Sequence, residues 1–120
     1  SMDIPGHGVV KGNWDILGNE SQYTGEVAFG GKRVLEIGPG SGLLTFFMER
    51  EGAEVVSLEV ADDFKWDFYW DLPDATPEDL KIRREAQIAD IPRMKNSYWF
   101  CHQAFSSRAK VHYGSAYHIP

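Results

Sequence analysis

The chain has 120 residues, 42% hydrophobic and 25% charged, the profile of one globular domain with a modest core. Its 12 Lys and Arg against 18 Asp and Glu give a formal charge of −6, which argues against a broad phosphate-binding surface and so against nucleic acid as a partner. No apolar run approaches the roughly 18 residues of a membrane span, no signal peptide opens the chain, and the single Cys101 excludes an internal disulfide and suits a reducing cytoplasm.

Residues 1–30 form a glycine-rich arm in which Trp14, Tyr23 and Phe29 follow no helical or strand period. Ser1, ahead of Met2, is read as a cloning remnant and carries no argument. Two readings of the arm stay open: a segment packing its aromatics on the domain surface, or a lid with Trp14 or Tyr23 facing a ligand. Next, Val34, Leu35 and Ile37 make a nearly continuous apolar run, as in a strand buried on both faces of a parallel sheet. Gly38, Gly40 and Gly42 interrupt it, and residues 43–50 then predict a helix with one broad apolar face. Arg50 suits the negative end of that helix and Gly52 its termination. Residues 54–59 predict a second strand, ending in Glu59.

Between 61 and 72, Asp62, Asp63, Asp67 and Asp71 alternate with Phe64, Trp66, Phe68, Tyr69 and Trp70. A metal reading fails here because no sixth-position glycine or terminal glutamate completes a calcium loop. The aromatics are read instead as packing for an irregular crossover. Thr76-Pro77-Glu78-Asp79 predicts a helix start, with Thr76 as N-cap and Pro77 in the first turn. The apolar side of that helix is placed at Leu80, Ile88 and Ile91, and Pro92 is expected to break or kink it before a second stripe, Met94 to Phe105. Cys101 and His102 are adjacent, so they project about 100° apart on a helix and form neither a ligand pair nor a nucleophile–base pair. Cys101 is read as a small buried hydrophobe. A third strand near residues 109–113 would hold His112, with His118 in the loop beyond.

Strand, glycine turn and helix together aim a helix N-terminus and bare amides at a negatively charged ligand group. A nicotinamide fingerprint, G-x-G-x-x-G, needs a glycine at position 43, which is Leu43; the third glycine comes one residue early, after a strand carrying Glu36. A strand ending in an acid and followed by G-x-G-x-G resembles motif I of the class I S-adenosylmethionine-dependent methyltransferases. Glu59, 21 positions after Gly38, sits near the ~20-residue offset at which an acid meets a ribose diol.

The resemblance covers about residues 30 to 120 and implies a truncated Rossmann-like three-layer α/β sandwich, with parallel strands in the order 3-2-1 and flanking helices. It implies S-adenosyl-L-methionine as cofactor. Glu36, Gly38, Pro39, Gly40, Ser41 and Gly42 would meet the amino-acid end, Glu59 the ribose, Val60 the adenine wall, and the Ser115-Ala116 loop the adenine itself. Where the family usually has an aspartate, this chain has Ser115, a weaker acceptor. Class I enzymes have seven strands and this sequence supplies the first three, so the acceptor pocket, the catalytic side chains and the methyl acceptor are not legible in it. An exposed edge on the first strand then predicts a homodimer through that edge. The alternatives are a non-catalytic module binding S-adenosylmethionine or its product, and an NAD-linked oxidoreductase, which Leu43 and Glu36 disfavour.

Overall fold

The computed structural model describes residues 1–62 and 76–118. Asp63, Asp67 and Asp71, with the aromatics 64–70 and Ile119 and Pro120, lie outside the described residues. Strand β1 (Met2–Ile4) pairs antiparallel with β2 (Gly8–Val10), and a one-turn helix α1 (Glu20–Tyr23) follows. A parallel sheet is built from β3 (Arg33–Ile37), β4 (Glu54–Glu59) and β5 (Lys110–Tyr113), with β4 in the middle. Helix α2 (Leu43–Arg50) joins β3 to β4, and α3 (Pro77–Ala104) precedes β5. A 3-10 turn, Ala116–His118, ends the described chain. Among the described residues, no helix is long and apolar enough to cross a membrane.

Register fixes which face each helix covers, because directly paired residues of neighbouring strands point to the same side. Glu36 pairs with Ser57, and Ser57 with Val111. Glu36 and Ser57 both bond to Thr45 or lie beside it on α2, and Val111 packs against Phe46, Tyr98 and Cys101. Helices α2 and α3 therefore cover the same face, so the described residues form two layers rather than the expected three. Consequently β3 is not buried on both faces: Leu35 is 50% exposed and Ile37 64%. The buried strand is instead the central one, β4, with Val55, Ser57, Leu58 and Glu59 buried.

Helix α2 ends on Gly52, at φ +93°, a left-handed conformation that a β-carbon penalises. The Gly52 amide donates to the Glu49 carbonyl (2.9 Å) and the Ala53 amide to the Met48 carbonyl (3.0 Å), a Schellman closure that turns the chain into β4. Glu49 then accepts from the Ser107 hydroxyl and the Arg108 amide, tying α2 to the approach to β5.

Thr76 caps the start of α3 as expected, and Asp79 returns the bond to make the cap reciprocal. The helix does not stop at Pro92; it runs 28 residues through it. Pro92 removes the bond its own amide would have made to the Ile88 carbonyl. Both residues are exposed, so that carbonyl can turn to water, while Ile91, Tyr98 and Cys101 anchor the following turns in the core. The stripe expected at Leu80, Ile88 and Ile91 is buried only at Ile91; Ile82 and Ile88 stand in solvent, 57% and 41% exposed.

The arm also departs from expectation. Its short hairpin packs on the domain through Met2 and Ile4, which join Phe46, Tyr98 and Cys101 in one core cluster. Of the three arm aromatics only Phe29 is buried, edge-on to Phe47. Trp14 and Tyr23 remain exposed and pack on one another with ring centres 6.1 Å apart. Cys101 is buried as expected, and burial pushes its thiol pKa up. His102 Nε2 lies 3.0 Å from the Ala109 carbonyl and is not paired with Cys101.

Candidate functional site

The glycine turn sits beyond the C-terminal end of β3, where parallel α/β sheets bind ligands. Its shape is set by Gly42, the N-cap of α2, at φ +88°. A β-carbon there would lie 2.4 Å from Phe46 Cε2 and 3.1 Å from Tyr98 Cδ2, so glycine is required by space as well as by conformation.

Most of the turn's amides are used internally. Gly38 N–H donates to the Leu58 carbonyl (2.9 Å), extending the β3–β4 ladder, and Gly42 N–H to the Pro39 carbonyl (2.8 Å). Gly40 N–H donates to Glu59 Oε2 at 3.3 Å. These three were expected to face a ligand, and their hydrogens are already engaged. The N–H groups without an internal partner among the described residues are those of Ser41 and of the first helical turn, Leu43, Leu44 and the fully buried Thr45, because Gly42 supplies no side-chain cap. The ligand-facing amides thus sit slightly later in the chain than the glycine spacing suggests.

The two acids behave differently. Glu59 is 7% exposed, and its oxygens accept from Gly40 N–H and, at 2.8 Å, from Val60 N–H. Each oxygen keeps a second lone pair. The Glu36 carboxylate turns under the sheet face and accepts from the Thr45 hydroxyl and, at 3.0 Å, from Ser57 Oγ. Burial raises its pKa above the ordinary 4.5; the bonds from Thr45 and Ser57 act against that rise, and the nearby Glu59 charge adds to it. Thr45 and Ser57 have no exposed surface at all. Tyr98 completes this group, with a hydroxyl that is buried and unpartnered among the described residues and a pKa that burial raises.

A cavity of about 920 Å³ opens between the hairpin, the glycine turn and α3. Glu36, Gly38, Pro39, Gly40 and Ser41 form its floor, with Leu43 and Leu44 beside them. Trp14 and Val10 roof it, and Met94, Ser97, Phe100 and Cys101, spaced along one face of α3, close its far side. Tyr23 does not reach it. Glu59 and Val60 lie behind the floor, joined to it through Gly40.

The last candidates, Ser115 and Ala116, come alongside Glu59 because the Gly114 amide donates to the Glu59 carbonyl (2.9 Å). They do not border the cavity. Ser115 Oγ accepts from Tyr117 N–H at 3.2 Å and so caps its own turn. One neighbour, Lys95, escaped the sequence reading. Lys95 lies over the Tyr113 ring, 4.3 Å from its centre, and pairs with Asp62; Trp99 Nε1–H donates to Tyr113 Oη at 2.8 Å. They brace the ends of β4 and β5 against α3. Comparison with protein-family models, with curated proteins and with solved structures found no match.

Proposed function

We propose that this chain forms the cofactor-binding half of a Rossmann-like, class I methyltransferase fold and binds S-adenosylmethionine over the glycine turn. The observation that carries the reading is the bond from Gly40 N–H to the Glu59 carboxylate, which puts an acid suited to a ribose diol against the turn at the ends of two adjacent parallel strands. The free amides of Ser41, Leu43 and Leu44 suit a carboxylate, helped by the positive end of α2. Glu36 on the cavity floor suits an ammonium. The second lone pairs of Glu59 suit two ribose hydroxyls.

The cofactor supplies an electrophilic methyl on a sulfonium, so no protein nucleophile is needed. The chain's part is to hold donor and acceptor in line and to keep water out, which can lower a barrier by several kcal/mol. One observation favours a purely binding role as the second reading. Among the described residues Glu36 is the one carboxylate on the cavity wall, with its Oε2 bonded to Thr45 and Ser57, and no imidazole borders the cavity to act as a base.

Calorimetric titration with S-adenosylmethionine, S-adenosylhomocysteine and NAD tests the reading. Saturable binding of the first two and none of NAD is expected; NAD binding alone would overturn it. Methyl transfer to small acceptors then separates enzyme from binding module. We propose further that two copies pair through the outer edge of β3, which has no strand partner among the described residues and carries exposed Leu35 and Ile37. A monodisperse monomer in sedimentation at tens of micromolar would contradict that pairing.

A further inference from the structure

We infer that the cavity under the N-terminal hairpin is an acceptor compartment for a small, uncharged aromatic molecule held between Trp14 and Phe100. The inference rests on the cofactor reading above and names the substrate class of that same site. At about 920 Å³ the space falls in the range of small-molecule pockets. Its walls are mainly apolar: Val10, Trp14 and Ile16 above, Pro39 and Leu43 below, Met94 and Phe100 across.

Two large rings among the lining residues have little protein to cover them. Trp14 is 64% exposed and, among the described residues, meets one other aromatic ring, the edge of Tyr23; Phe100 is 49% exposed and leans on His7, ring centres 4.9 Å apart. Such rings offer a flat ligand both area and stacking geometry. Among the described residues the charged groups on the wall are the Ser1 ammonium, which donates to the Trp14 carbonyl and lies 4.0 Å from Asp15, together with Lys11 and Glu36. Glu36 accepts from Thr45 and Ser57 through Oε2. A phosphorylated ligand would give up its hydration beside that carboxylate with Lys11 and an ammonium already held by Trp14 and Asp15 in return, which disfavours it. Because Ser41, Leu43 and Leu44 border the same space, a molecule held there lies next to the amides assigned to the cofactor. The hairpin keeps its place through Met2 and Ile4, independently of Trp14.

Binding of 2-naphthol to the full chain, followed by ligand-observed NMR, tests the assignment, with 2-naphthyl phosphate as the charged counterpart. The neutral probe should bind, and about tenfold more weakly to Trp14→Ala and to Val10→Lys, while Ile82→Ala on the outer face of α3 binds as the wild type does. The phosphate should bind at least about tenfold more weakly than the naphthol. Equal binding to every variant, no binding to the wild type, or preference for the phosphate would overturn the assignment. S-adenosylmethionine titrated alone keeps the two readings apart. Naphthol binding without cofactor binding overturns the acceptor role together with the cofactor reading, and cofactor binding without naphthol binding overturns this inference alone.

Discussion

The Gly40 amide lies 3.3 Å from Glu59 Oε2, so the acid that ends β4 is tied to the turn that follows β3. Two residues 19 apart in sequence thereby form one wall, and the sheet register that brings them together is the continuous pairing from Arg33–Glu54 to Ile37–Leu58. Glu59→Gln keeps the size of the side chain and one carbonyl acceptor but loses the charge. S-adenosylmethionine affinity should fall about tenfold, roughly 1.4 kcal/mol, with a much smaller change in thermal stability. Calorimetry on wild type and variant reads the first, and thermal melts read the second.

Gly42 and Gly40 both adopt positive φ, yet only Gly42 has neighbours within reach of an added β-carbon. Gly42→Ala should combine the left-handed penalty with overpacking against Phe46, which stacks on Phe105 (4.9 Å) and cannot swing away freely. A loss of about 2–4 kcal/mol is expected. Gly40→Ala meets only the first cost, about 1–2 kcal/mol. Urea denaturation of the two variants should show that order.

Glu36 makes folding sensitive to pH in a defined direction. Its folded pKa is raised above 4.5 by burial, so as pH climbs from that value the unfolded chain releases the proton first and folding stability falls until the folded group also ionises. Glu36→Gln removes this loss while its amide oxygen still accepts from Thr45 and Ser57. The stability difference between variant and wild type should shift in the variant's favour as pH rises from about 4.5 and level off once the folded Glu36 also ionises, measured by urea titrations at a series of pH values. A difference that stays flat would show that Glu36 ionises as freely folded as unfolded.

Met2 and Ile4 hold the arm over the cavity. Replacing both with serine should release the hairpin, with a cost of about 2–5 kcal/mol for each buried apolar side chain removed. New protease cleavage within residues 5–15, without loss of the parallel sheet by circular dichroism, is the expected outcome.

Local signals carried the elements well. The Thr76-Pro77 cap, the Gly52 terminator and the apolar run of α2 each specify their geometry within a few residues, and each is found. Tertiary outcomes were less legible. Nothing in Val34-Leu35-Ile37 states that both helices pack on one side, which leaves two of those residues exposed. Pro92 weakens its helix locally, while Ile91 and Tyr98 retain it through contacts distant in sequence. The polar group around Glu36 did leave a trace: Thr45 and Ser57 are lone hydroxyls inside apolar runs, a pattern that calls for a buried acceptor. The shift of free amides from the glycines to Ser41, Leu43 and Leu44 had no such trace, because it depends on which carbonyls and carboxylates the turn meets when folded.

The most direct measurement is an amide NMR titration of the full chain with S-adenosylmethionine. The account predicts the largest shifts at Ser41, Leu43 and Leu44, with Gly40 and Val60 moving as Glu59 takes up the sugar. Binding that leaves these amides unmoved while perturbing another part of the chain would contradict it.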